Sequence, residues 1–180
     1  MERRGDWMQT YPAGQFWPLD PRADEVHIEA IAHSLAMQCR YGGHCLRFYS
    51  VAEHCVLLSR RVESRHALWA LLHDASEAYL VDVPRPVKGG LDGYRIIETA
   101  VMAAVVQRFK LLPFQIPIAV HEADMRITTD EHHQNMAPGL VWGSDQLEPL
   151  GVELQFWAPE EAEQRFLDRF SELINQRAAA

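Results

Sequence analysis

His73 and Asp74 stand side by side in the stretch ALLHDASEAYLVDVPRPVK, Ala70 to Lys88, with Glu77 and Asp82 just downstream. Imidazole and carboxylate are ligands for divalent metals, and a spare carboxylate beside such an ion can take or give a proton. On a continuous helix Glu77 follows Asp74 by three positions and His73 by four, so all three share a face. Pro84 and Pro86 stiffen the exit before Lys88. The chemistry this points to is hydrolysis at a divalent metal. The dipeptide alone is weak, because nine histidines and ten aspartates in 180 residues give about half an occurrence by chance. Its context is stronger. Ala70-Leu71-Leu72 places His73 in a buried helix, where an unpaired His-Asp pair is costly and a metal satisfies both. The competing account is a His-Asp hydrogen bond inside a core.

A metal needs more ligands than these. His54, in a Glu-His pair on the preceding helix, can meet His73 if the two helices are antiparallel neighbours. Asp124, in HEADMRI, sits mid-helix between Ala123 and Met125, a poor place for an unpaired acid. His54, His73, Asp74 and Asp124 form a four-ligand set that leaves room for water and a substrate oxygen. Glu77 is then free to orient or deprotonate the water. Asp82 can serve the leaving oxygen as an acid or help to order its loop. The plainer account of both is a solvated acid near a helix end.

These residues need a helical frame, and the chain supplies one. After an aromatic, Gly- and Pro-bearing arm over residues 1–25, Ile28, Ile31, Leu35 and Met37 follow a helical stripe that Gly42-Gly43 ends. Ser50-Val51-Ala52-Glu53 is a capping-box pattern opening a helix to about Val62. Ser64 can cap the next, Arg65 to Tyr79, whose middle is apolar on nearly all sides and therefore buried. Further helices are expected from about Tyr94 to Lys110, from Ile118 to His133 and, started by Pro159-Glu160-Glu161, to about Arg177. Gly139 to Gly151 reads as an irregular connection. No alternating strand of useful length and no repeat is evident. The expectation is one all-α domain of about six or more helices.

Composition narrows the class further. A chain of 180 residues, 48% hydrophobic and 23% charged, can bury one sizeable core. A net charge of -8 argues against a stable nucleic-acid complex, while a local basic pocket for a small phosphate ligand stays open. The three cysteines, Cys39, Cys45 and Cys55, lack CxxC spacing and read as small buried side chains in a reducing cytosol. There is neither a secretory leader nor an apolar run near the ~20 residues that span a bilayer. A cytoplasmic protein without a membrane partner is expected.

SVAEH at Ser50 to His54, LLHDASEAYLVDVPRPVK at Leu71 to Lys88, and Ala123-Asp124 together resemble the HD-domain phosphohydrolases. Within them the likeness is greatest to the small bacterial and prophage 5′-deoxyribonucleotidase branch. FWPLDPR, the Ile28 to Ser34 helix and CRYGGH at Cys39 to His44 extend it over most of the chain. The resemblance implies an orthogonal helical bundle, commonly a homodimer. One divalent ion (manganese, cobalt, zinc, magnesium or iron) would be held by His54, His73, Asp74 and Asp124. Glu77 matches the family's essential glutamate and Asp82 its second catalytic acid. Arg40 matches an arginine that holds the substrate phosphate, and Lys88 is placed near that phosphate. Tyr41 stands where relatives often carry tryptophan beside the sugar, which leaves the choice between ribose and deoxyribose open.

Among the remaining histidines, His44 could face the pocket as a phosphate partner or proton donor, and His121 shares the face of Asp124. His33 reads as a core or capping residue, and His27, His66, His132 and His133 as surface. Trp17, Phe48, Tyr49 and Trp69 read as core. The expected activity is metal-dependent hydrolysis of (deoxy)nucleoside 5′-monophosphates to nucleoside and phosphate. The alternatives are a deoxynucleoside triphosphate triphosphohydrolase, for example on dATP, and a non-catalytic, metal-stabilised nucleotide-binding protein.

Overall fold

Apolar residues at helical spacing carry most of the chain into helices. The computed structural model describes residues 3–179 and is mainly helical. A short antiparallel hairpin comes first, β1 (Met8–Thr10) against β2 (Gly14–Phe16), with Met8 opposite Phe16 and Thr10 opposite Gly14. These strands were not expected, because three residues hold too little alternation to read. A side chain at position 14 would start 2.5 Å from Thr10 Oγ1, so glycine is needed there. The hairpin is anchored by stacking, Phe16 on Tyr79 and Tyr11 on His33, both at 3.9 Å between ring centres.

The helices are α1 (Ile28–Met37), α2 (Val51–Ser59), α3 (Ser64–Leu72), α4 (Glu77–Leu80), α5 (Arg85–Lys88), α6 (Tyr94–Phe109), α7 (Ile118–Asn135) and α8 (Pro159–Ala179). The long C-terminal α8 lies against α1, α2 and α3, and α7 packs on α2 and α3. Ile31, Leu35, Leu58, Leu71, Leu72, Ile127 and Phe166 are fully buried between them. Each such side chain contributes roughly 2 kcal/mol by leaving water. Trp69, Ala70, Leu71 and Leu72 are all buried, so α3 is the enclosed helix its composition predicts. This is an all-α bundle. Among the described residues no helix is long and apolar enough to cross a membrane.

Five boundaries depart from expectation. Helix α1 ends at Met37 rather than at Gly42-Gly43. Beyond it the chain pairs with residues 49–51: Val51 N donates to Gln38 O at 3.1 Å and Arg40 N to Tyr49 O at 2.9 Å. A tight turn over Arg40–Gly43 follows, with Tyr41 and Gly42 left-handed. Helix α2 stops at Ser59, short of Val62. Its capping box is half formed. Ser50 Oγ accepts from Glu53 N at 3.0 Å, but the Glu53 carboxylate accepts the amides of Gln155, Phe156 and Trp157 at 2.7–2.9 Å instead.

The helix expected from Arg65 to Tyr79 breaks at His73. The chain tightens there through Ala75 N to Leu72 O and Glu77 N to Asp74 O, bonds of three-residue span, before α4 begins. Ser64 is the first residue of α3 and not its cap. Pro84 to Lys88, expected as a break, forms the single turn α5, with Pro86 in the first turn where no amide is needed.

Candidate metal centre

Helix α2 supplies His54, the end of α3 supplies His73, the tight turn supplies Asp74, and α7 supplies Asp124. His54 Nε2 lies 3.3 Å from His73 Nε2, 3.3 Å from Asp124 Oδ1 and 3.8 Å from Asp74 Oδ2. His73 Nε2 lies 3.2 Å from Asp74 Oδ2 and 3.7 Å from Asp124 Oδ1. Residues far apart in sequence thus converge on one point, and the four predicted ligands are brought together.

The other imidazole nitrogens decide what that point can hold. His54 Nδ1 is 2.6 Å from Glu131 Oε1, and His73 Nδ1 is 2.8 Å from Ala70 O. Each Nδ1 donates its hydrogen, so each neutral ring presents the lone pair of Nε2 to the cluster. The two Nε2 atoms lie 3.3 Å apart and 3.2–3.8 Å from the carboxylate oxygens of Asp74 and Asp124, an arrangement of acceptors that repels unless positive charge lies among them. In the absence of an ion, protons supply that charge. Burial and Arg40 work against the charged form of His54, but Glu131 and Asp124 outweigh them and raise its pKa. Burial opposes the His73 imidazolium as well, and Asp74 more than compensates. Burial also raises the carboxyl of Asp74, which His73 and His54 bring down to about 2. The donor set fits a divalent ion with nitrogen and oxygen preference.

Behind the ligands sits Glu131, fully buried and not foreseen from sequence. Its carboxylate binds His54 on one side and Arg40 Nη2, at 3.2 Å, on the other, and it also accepts from the Tyr41 hydroxyl. Burial pushes this carboxyl up, but Arg40 and His54 hold it at about 2. Glu131 follows Asp124 by seven positions, two turns of α7, so the spacing carried a signal once Asp124 was chosen. Arg40, expected to hold phosphate, is buried with Nη1 3.6 Å from Asp74 and Nε unpaired.

Glu77 is 6% exposed. Burial, then Asp74 and Asp82, raises its pKa well above the usual carboxylate range. Its Oε2 is buried without a partner, while Oε1 is 3.4 Å from Lys88 Nζ. Lys88 also binds Glu98 at 2.9 Å. Asp82 is half-buried. Between these two carboxylates Val81 adopts φ 61, ψ 159, a conformation that side chains with a Cβ rarely enter.

One side chain bridges that strained point. Gln38 Nε2 donates to Glu77 O at 3.1 Å and to Ser34 O at 3.2 Å, and Gln38 Oε1 accepts from Asp82 N at 2.9 Å. Nothing in the sequence marked Gln38, because its partners lie 39 and 44 residues away.

Other expectations fare unevenly. His44 is exposed, and its ring is not among the contacts that build the cluster. His121 is exposed too, although it lies on α7. His132 is not a surface residue. It is 7% exposed, with Nδ1 2.7 Å from Asp145 Oδ1 and its ring stacked on Trp142, because the loop after α7 folds back over it. Phe48 is 37% exposed rather than core, since it follows the tight turn and points outward. Tyr49 and Trp69 are buried, and Trp17 is half-buried beneath the Arg3 guanidinium. Cys55 is buried 3.9 Å from His73 Nδ1, and burial pushes its thiol up to about 11, so it stays a neutral thiol. Cys39 and Cys45 are half-buried thiols whose sulfurs lie 3.5 Å apart.

No family model matches the chain. It is 32% identical over 178 residues to the "Uncharacterized protein YfdR" of Escherichia coli (strain K12), covering 97% of this chain and 99% of that protein. It is 37% identical over 131 residues to the "Uncharacterized protein RCAP_rcc00048" of Rhodobacter capsulatus, covering 66% of this chain and 67% of that one. With that near-complete overlap, the chain belongs to the YfdR family.

Proposed function

We propose that the protein is a metal-dependent phosphohydrolase that cleaves nucleoside 5′-monophosphates to nucleoside and phosphate. One observation carries the metal: the Nε2 atoms of His54 and His73 face each other and the carboxylates of Asp74 and Asp124, with both Nδ1 hydrogens already donated elsewhere. His54, His73, Asp74 and Asp124 would hold the ion; zinc, cobalt, iron and manganese suit two imidazoles and two carboxylates better than magnesium, which prefers oxygen ligands. When bound, the ion lowers the pKa of a water and polarises a phosphoryl oxygen.

The remaining roles belong to the chain. Glu77 has a buried, unpaired Oε2 and a raised pKa, which suits it to take a proton from the attacking water. Asp82, five residues on and half-buried, would serve the departing nucleoside oxygen. Glu131 fixes the ring of His54, and Gln38 fixes the spacing of Glu77 and Asp82. The likeness to HD-domain phosphohydrolases supports the choice of a phosphate ester, and nucleotides are the substrate class that likeness favours.

The test is a panel of nucleotides assayed with and without chelator, beside Asp74→Ala. Orthophosphate release from 5′-monophosphates is expected, lost on chelation and reduced about 1,000-fold or more in the variant, because the metal supplies several kcal/mol of barrier lowering. Release that survives both treatments would sink the reading. Triphosphate as first product would move it to triphosphohydrolysis.

A further inference from the structure

We infer that Arg85, rather than Arg40 or Lys88, is the cation that receives the substrate phosphate at this site; the inference rests on the proposed phosphohydrolase reading. Among the described residues three cations stand beside the cluster or its carboxylates, and two are already engaged. Arg40 is buried between Asp74 at 3.6 Å and Glu131 at 3.2 Å. Lys88 is bound by Glu98 at 2.9 Å and by Glu77 at 3.4 Å. Each therefore balances carboxylates that the fold itself brings in. An arriving phosphate would have to compete with both pairs.

Arg85 differs on every count. Its side chain is 67% exposed, yet it reaches inward, with Nη2 4.0 Å from Asp124 Oδ2, beyond hydrogen-bond distance. Nη1 meets only the thioether sulfur of Met125, at 3.1 Å, a weak and neutral acceptor. The guanidinium thus stands over a ligand carboxylate with most of its donors free. Its backbone is fixed between Pro84 and Pro86, three residues after Asp82. Asp124 holds it near the cluster without consuming it. A planar fork in that position can bind two phosphate oxygens through two parallel N–H donors, a fixed geometry that an ammonium lacks. It also supplies positive charge beside Asp124, next to carboxylates among which Asp74 and Asp82 both act on Glu77.

Two measurements test this independently of turnover. Inorganic phosphate is titrated calorimetrically into the metal-loaded wild type, Arg85→Ala and Arg85→Lys, and thermal unfolding of all three is compared. Expected is a phosphate affinity about 10- to 100-fold weaker in Arg85→Ala, the range for losing a charged hydrogen-bonding group. Arg85→Lys should recover part of the loss, and the unfolding midpoints should agree. The KM for a 5′-monophosphate should rise in parallel while kcat changes less. Equal phosphate affinity in wild type and Arg85→Ala overturns the inference, as does a wild type that binds no phosphate. If phosphate binds through Arg85 but no nucleotide is hydrolysed, the assignment stands and the proposed reaction falls.

Discussion

His54 and Glu131 are fully buried and His73 nearly so, whereas none of the residues from Val81 to Gly93 is buried. The first group sits where α2, α3 and α7 meet, and its ring orientations are set by the hydrogen bonds that the two Nδ1 atoms donate to Glu131 and Ala70 O. The second group is a strap tied down at few points, chiefly by Gln38 at its start and by Lys88 through Glu77 and Glu98. An element with little buried surface opens at low cost, while a core cluster opens only with the domain. The difference assigns work. On the proposed reading, the imidazole ligands His54 and His73 would be held still in the core, while Asp82 and Arg85, which would meet and release a substrate, would sit on the strap.

Breaking the rigid half should give the largest effect. Glu131→Gln should weaken metal affinity about 10- to 100-fold, the usual loss when a ligand's hydrogen-bond partner is removed. It also changes acid stability in a defined direction. Burial raises the Glu131 carboxyl, but Arg40 and His54 hold it at about 2, below its ordinary 4.5. Its contribution is therefore present above pH 4.5 and lost as pH falls through about 2, with a ceiling of about 3 kcal/mol. Denaturation of chelated protein should show the variant weaker near neutrality, with the gap closing toward pH 2. A gap independent of pH would mean that Glu131 acts by packing alone.

Loosening the strap should cost turnover and spare the metal. Gln38→Ala removes the bonds to Glu77 O and Asp82 N. We expect kcat to fall about tenfold with metal affinity unchanged, since small misplacements of catalytic groups have costs of that order. Metal titration beside steady-state kinetics separates the two. A matching fall in metal affinity would show that strap and cluster are one unit.

The smallest effect lies in the backbone of the strap itself. Val81 at φ 61, ψ 159 carries about 1–3 kcal/mol of strain. Val81→Gly relieves it, less about 1 kcal/mol for the freer unfolded chain. The expected net is a gain of about 1 kcal/mol and a Tm a few degrees higher by calorimetry, with lower activity. A lower Tm would show that the valine side chain is worth more than the strain.

How much of this was legible in the chain follows from the same contrast. His54, His73, Asp74 and Asp124 stood out because polar ligand types were embedded in apolar helical sequence. Glu131 did not, because it lies in the polar run Asp130-Glu131-His132-His133, where a buried acid looks like a solvated one. Gln38 carried no local signal at all, since its meaning comes from a crossing of α1 with a segment some 40 residues later. The break at His73 was hidden for the opposite reason. No glycine or proline interrupts Ala70 to Leu80, so no strong local breaker marks the end of the helix there.

Glu53 and His54 are buried neighbours on α2 that meet different partners. One carboxylate gathers the amides of Gln155, Phe156 and Trp157 just before α8, and the next side chain holds its place among the ligands. Those three amides belong to no helix or sheet, yet they are pinned to the same turn of backbone as a ligand. In hydrogen exchange they should behave as core amides, opening only when α2 opens. Ligation at His54 would then slow exchange at residues 155–157, at the far end of the chain from His73 and Asp74.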